Sequence, residues 1–108
     1  MGAIQFKADN FESEVLKAKE PVLVDFFAPW CGPCKLLGSV IDELAENYKG
    51  KVKIGKVNID GAEELAQKYN VMGVPTVILF VGGKEVERKV GFVGKEGYEE
   101  MIKKFIKE

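Results

Sequence analysis

Cys31 and Cys34 are the only thiols among the 108 residues. They enclose Gly32-Pro33 and are flanked by Trp30, the only tryptophan, and by Lys35. A pair at this spacing can hold a metal, carry a haem, attack a substrate, staple a chain or exchange disulfides. The chain has no histidine. A structural zinc site needs four ligands, usually Cys or His, and one chain here cannot complete it. Haem attachment needs a histidine after the second cysteine, where Lys35 stands. A Cys–His nucleophile would lack its base. A static bridge is geometrically possible, because residues i and i+3 of a helix lie about 5 Å apart at their α-carbons. It would be a weak staple: the chain-entropy contribution is about 1.9 kcal/mol for a four-residue ring, against about 4.7 for a 100-residue loop. Reversible dithiol–disulfide exchange is the chemistry that suits the pair.

The flanking pattern predicts how the sulfurs are held. Val22-Leu23-Val24-Asp25-Phe26-Phe27 is apolar without alternation, as expected of a central strand covered on both faces. After the cysteines, Leu37, Val40, Ile41, Leu44, Ala45 and Tyr48 recur at helical spacing. Cys31 is therefore expected where a strand gives way to a helix. Unpaired amides and the positive end of the helix dipole favour a thiolate there, and the thiolate is the nucleophile of exchange. Pro33 falls in the first turn, where a missing N–H costs nothing. Cys34 lies one turn deeper and is the natural resolving thiol. Asp25 is an anomaly, a carboxylate inside the most apolar run; buried, it should have a raised pKa from desolvation.

The remaining elements follow in order. Ile4-Gln5-Phe6 predicts a first strand. Asp9-x-x-Glu12 reads as a capping box opening a helix with Phe11, Val15 and Leu16 inward. Residues 51–59 predict a strand with Val52, Ile54 and Lys56 on one face and Val57 and Ile59 on the other. Lys56 thus stands where a hydrophobe is expected. Either its stem covers apolar surface or it faces Asp25 and moderates its acidity. Asp60-x-x-Glu63 reads as a second capping box, before a helix with Leu65, Ala66 and Tyr69 inward. Thr76-Val77-Ile78-Leu79-Phe80-Val81 predicts another buried strand, and Gly82-Gly83 a hairpin turn. Val86, Arg88 and Val90 alternate with Glu85, Glu87 and Lys89 in a half-exposed last strand. Tyr98, Met101, Ile102, Phe105 and Ile106 form the stripe of a final helix. The order β-α-β-α-β-α-β-β-α gives an α/β fold: a central mixed β-sheet with helices on both faces and an antiparallel hairpin at one edge.

Bulk properties bound the function. The length suits one domain over residues 1–108, and 46% hydrophobic with 31% charged residues is ordinary for a globular chain. A net charge of −1 leaves no basic footprint for nucleic acid. No apolar run approaches a membrane span. Residues 1–10 lack a basic segment followed by an apolar stretch, so a cytoplasmic setting is expected.

Trp30-Cys31-Gly32-Pro33-Cys34-Lys35 resembles the active-site motif of the thioredoxin family. Asp25, Lys56, Asn58-Ile59-Asp60, Gly73-Val74-Pro75-Thr76 and Gly91 fall in that family's order and spacing, so the resemblance covers essentially the whole chain. It implies the thioredoxin fold, a monomer without bound cofactor or metal, and reduction of disulfides in other proteins. The partners it implies are disulfide-containing protein substrates and a thioredoxin reductase that recharges the oxidised form. It assigns Asp25 to take the proton of Cys34, and it places a cis bond at Val74-Pro75 facing the cysteines. Val74 would pair its backbone with an extended substrate. Trp30, Gly32, Pro33, Gly73, Val74, Pro75 and Gly91, with Phe92, would form the docking surface. Where many members carry proline, this chain has Ser39, and Gly38-Ser39 permits a kink by another route. The rival readings are an oxidase or isomerase on the same fold, which Gly32-Pro33 disfavours, and a binding subunit with incidental cysteines.

Overall fold

The computed structural model describes residues 2–106; Met1, Lys107 and Glu108 lie outside the described residues. Five strands, β1 (Ile4–Phe6), β2 (Val22–Phe27), β3 (Lys53–Asn58), β4 (Thr76–Val81) and β5 (Lys84–Val90), form one sheet in the order β1-β3-β2-β4-β5. The first three run parallel, while β4 and β5 are antiparallel to their neighbours. Helices α1 (Gly32–Asn47), α2 (Glu63–Lys68) and α3 (Gly94–Lys103) and a π-helical turn (Glu12–Leu16) cover the two faces.

β2 lies in the middle, as its unbroken apolar run predicts, with Val22 to Phe26 all buried. Its residues divide by parity. Leu23, with Ile54, Val77 and Leu79, packs against Leu37, Ile41 and Leu44 of α1 and Tyr98, Met101 and Ile102 of α3. Val22, Val24 and Phe26, with Val57, Ile78 and Phe80, pack against Phe11, Val15 and Leu65. Asp25 shares the parity of Leu23 and so points to the α1/α3 side. Its register neighbours are Lys56 on β3 and Val77 on β4. On the opposite face, a Cβ at Gly55 would meet the Phe6 ring and the Ile4 carbonyl, so only glycine lets β1 lie that close. Gly82 and Gly83, at φ 62° and 80°, make the hairpin turn.

Several local expectations are corrected. Neither capping box forms. The first helical turn is entered through Asn10, whose Oδ1 accepts from the Lys7 N–H at 2.7 Å and whose carbonyl accepts from the Glu14 N–H at 2.9 Å. Before α2, the Asp60 N–H donates to Asn58 Oδ1 at 3.0 Å, and this turn moves the helix start to Ala62, which makes no side-chain cap bond. β3 begins two residues later than expected, because the Lys51 and Val52 N–H groups are spent on the Tyr48 carbonyl at the end of α1. On β5 the alternation fails at Val86 and Val90, both of which are exposed. A bulge sets Leu79 opposite Glu87 but Phe80 opposite Glu85, leaving Val86 unmatched and exposed. α3 ends at Lys103, so Phe105 leaves the stripe and is exposed. α1 is continuous through Gly38-Ser39.

Candidate redox site

Cys31 is the N-cap of α1, in extended geometry at φ −91° and ψ 116°. Its Sγ accepts the Cys34 N–H at 3.2 Å, one of the amides a helix start leaves unpaired. Pro33 sits in the first turn and withholds no needed donor. The two cysteines are joined as a disulfide with α-carbons 5.3 Å apart. Both sulfur-bearing residues are largely buried, at 6% and 4% exposure, against Ala28, Phe27, Ile59 and Val74.

Val74-Pro75 is cis, and the Val74 carbonyl oxygen lies 3.7 Å from Cys31 Sγ. The surrounding loops are tied from behind. Thr76 Oγ1 donates to the Gly73 carbonyl at 2.7 Å, and the Gly91 N–H donates to the Pro75 carbonyl at 2.8 Å. Tyr98, expected only as core, brings its hydroxyl out of α3 to donate to the Gly91 carbonyl at 3.0 Å and accept from the Val93 N–H at 3.2 Å. Trp30 is not a core tryptophan: it is 69% exposed. Gly32, Pro33 and Gly73 are exposed as well, and Gly91 is half-buried. Met72, Phe92 and Val93 add exposed apolar surface on the loops carrying Gly73 and Gly91.

Behind the disulfide, Asp25, Phe27, Ala28, Pro29, Cys34, Lys35, Gly38 and Lys56 line a cleft of about 270 Å³. Asp25 is 1% exposed, and neither carboxyl oxygen has a hydrogen-bond partner. Burial pushes its pKa up from 3.8 to about 7, the Lys56 charge pulling it down and the Asp42 charge adding to the rise. Lys56 does turn to the Asp25 side of the sheet. Its ammonium, however, is bonded to Asp42 Oδ1 at 3.0 Å rather than to Asp25. The same Oδ1 accepts the Ala3 N–H at 3.1 Å. Burial alone would raise Asp42, but the Ala3 N–H and Lys56 more than offset it and hold it below the usual range. Asp42 breaks no pattern in the sequence. The signal available was its place in the line Cys34, Gly38, Asp42, each one helical turn from the last. Among the described residues no three or more His, Cys, Asp or Glu side chains gather as a metal site.

A CxxC disulfide at a helix start, a carboxyl with raised pKa behind it and an open backbone rim in front form a site for disulfide exchange. The family model described as Thioredoxin matches residues 2–107. The chain belongs to the thioredoxin family. It is 42% identical over 104 residues to "Thioredoxin 1" of Nostoc sp., covering 96% of this chain and 97% of that one. It is 50% identical over 86 residues to "Thioredoxin" of Pseudomonas aeruginosa, covering 80% of each. It is 42% identical over 98 residues to "Thioredoxin M-type, chloroplastic" of Chlamydomonas reinhardtii, covering 91% of this chain and 70% of that one. As a thioredoxin-family member with a CxxC pair at disulfide distance, the chain is a thiol–disulfide oxidoreductase, a protein-disulfide reductase that works with disulfide substrates and a reductase. Among the described residues no helix is long and apolar enough to cross a membrane.

Proposed function

We propose that Cys31 is the attacking sulfur and Cys34 the resolving one in a two-electron reduction of protein disulfides. The Cys31 thiolate attacks one sulfur of the substrate disulfide, and the other sulfur leaves as a thiolate. Cys34 then gives its proton to Asp25 and attacks Cys31 Sγ. The Cys31–substrate bond breaks, the second substrate sulfur leaves as a thiolate, and the Cys31–Cys34 disulfide remains. A thioredoxin reductase returns two electrons to that disulfide. Lys56 moderates the acidity of Asp25 across the cleft. Trp30, Gly32, Pro33, Gly73, Val74 and Gly91 form the docking rim, which the buried Pro75 supports from behind, with the Val74 carbonyl available to an extended substrate backbone.

The single observation that carries this reading is the placement of Cys31 Sγ, the acceptor of a helix-start amide beside the Val74 carbonyl. The amide favours a thiolate on Cys31, and the carbonyl marks the backbone edge that lies beside that sulfur. One five-stranded sheet and the helices packed on it carry every residue of the site, which supports a single domain over residues 1–108; that it acts as a monomer is part of the same proposal. A dithiol reductant suits a reducing compartment, and on that ground we place the protein in the cytoplasm, as a carrier of electrons in thiol homeostasis.

The testing experiment is the redox equilibrium of Cys31–Cys34 against a dithiol buffer, followed by Trp30 fluorescence. The reading expects a potential within or below about −220 to −260 mV, the cytosolic glutathione poise from extraction. A potential tens of millivolts above it would mean a stabilised dithiol form. The protein would then be an oxidant or isomerase, and the cytoplasmic placement would fall with it.

A further inference from the structure

Asp25 and Lys56 hold neighbouring register positions on β2 and β3 with side chains on one face of the sheet. A buried carboxylate beside an ammonium ordinarily takes it as a counter-ion. Here the ammonium goes to Asp42 on α1, a helical residue whose side chain is 48% exposed, while both Asp25 oxygens stay unpartnered. One feature favours this choice and a second leaves room for it. The Ala3 N–H holds Asp42 Oδ1 from the opposite side, so the acceptor is anchored before Lys56 reaches it. Gly38, one turn before Asp42, has no side chain between the helix and Lys56, and even a Cβ there would stand 3.6 Å from Nζ.

We propose that Asp42 is a positioning residue: by holding the Lys56 ammonium it denies Asp25 a counter-ion. The consequence for exchange rests on the reading of Asp25 as proton acceptor for Cys34. An Asp25 paired to Lys56 would be a weaker base; an unpaired one keeps its affinity for the Cys34 proton. As a stability element the Lys56–Asp42 pair offers little, since a partly exposed ion pair gains little over its two hydrated charges. Its effect is on where a charge sits. Among the described residues, the other charged or titratable groups that line the cleft or couple to Asp25 are Cys34 and Lys35 from α1 and Tyr98 from α3. Beyond Val77, Lys89 of β5 is paired with Glu87 at 3.5 Å, and Glu87 also meets Lys104 at 3.3 Å. None of them offers Lys56 a competing carboxylate in the cleft.

Removing the charge of Asp42 also acts on Asp25 directly, so the test is a double-mutant cycle. The Asp25 carboxyl is titrated by carbon-13 NMR in the oxidised wild type, in Asp42→Asn, in Lys56→Met and in the double variant. Asparagine keeps an oxygen for the Ala3 N–H. With Lys56 present, Asp42→Asn should lower the Asp25 midpoint by about 1 unit, the scale of a newly gained opposite charge. In the Lys56→Met background the same substitution should move it by less than about half as much, because only the direct charge effect remains. Equal shifts in both backgrounds, or no shift, overturn the proposal. The pH profile of protein-disulfide reduction by Asp42→Asn should move down with the midpoint. If the NMR cycle behaves as expected and the profile does not move, Asp42 positions Lys56 as proposed and the assignment of Asp25 to Cys34 fails.

Discussion

The Tyr98 hydroxyl is bonded to the Gly91 carbonyl at 3.0 Å, joining the wholly buried base of α3 to the rim beside the disulfide. The same oxygen takes the Val93 N–H, so one side chain fixes both ends of residues 91–93. Tyr98→Phe keeps the ring in its core site and removes only this tie. The expected loss of stability is about 1–3 kcal/mol, the scale of two backbone groups losing one buried partner. The functional effect should separate by substrate size. Reduction of a protein disulfide should show a raised KM, while a small disulfide such as oxidised glutathione reacts at the wild-type rate. Equal loss on both substrates would mean that Gly91 and Val93 do not touch the protein substrate.

Asp25 gives stability a pH dependence of known sign. In the native chain its carboxyl keeps a proton up to about 7; unfolded, it releases the proton near 3.8. Between those values the native state binds more protons, so stability falls as pH rises and levels off above about 7. Asp42 and Glu85, both held below the usual carboxylate range, stay ionised above pH 5 and do not mask the effect. Urea unfolding of the oxidised protein should show a loss of roughly 2 kcal/mol between about pH 5.5 and about pH 9. Asp25→Asn, neutral throughout, should abolish the slope and leave the variant the more stable at the higher pH. A wild-type curve that is flat over this range would show that Asp25 is ionised throughout it.

The two features that most constrain the site were legible because each broke a pattern. Asp25 interrupts a run that is apolar on both faces, and Lys56 interrupts the inward face of its strand; each turned out to line the cleft. Cys31 was legible as a helix start from the switch in hydrophobic period. What stayed hidden depends on which of several adequate partners the chain selects. Asp9 and Asp60 carry good capping signatures, but Asn10 and Asn58 close their turns first and set where the helices begin. Val86 falls out of register through a bulge no local signal marks. Asp42 is an ordinary polar residue on a helix until α1 is laid over β3, which brings it to Lys56 across 14 residues of chain.

Gly38 lies in the interior of α1, where glycine costs about 1 kcal/mol relative to alanine. A Cβ at this position would meet only Lys56 Nζ, at an ordinary contact distance of 3.6 Å. Gly38→Ala should therefore raise stability by about 0.5–1 kcal/mol in urea unfolding. A net loss would mean that the Lys56 head cannot give way and that the open floor of the cleft is itself required by the fold.

The different positions of the two sulfurs predict different failures. Cys31 accepts the helix-start amide and lies against the Val74 carbonyl, while Cys34 faces the cleft that Asp25 and Lys56 share. Cys31→Ser removes the attacking thiolate, so reduction should fall to background with no adduct. Cys34→Ser keeps the attack but removes the group that releases it, so the protein should accumulate as a mixed disulfide with its substrate. Mass spectrometry after mixing with an oxidised protein reads the difference directly, as an added substrate mass that a dithiol reductant removes. An adduct on Cys34 in Cys31→Ser, forming as fast as the one on Cys31, would reverse the assignment. The helix-start position would then not be what selects the nucleophile.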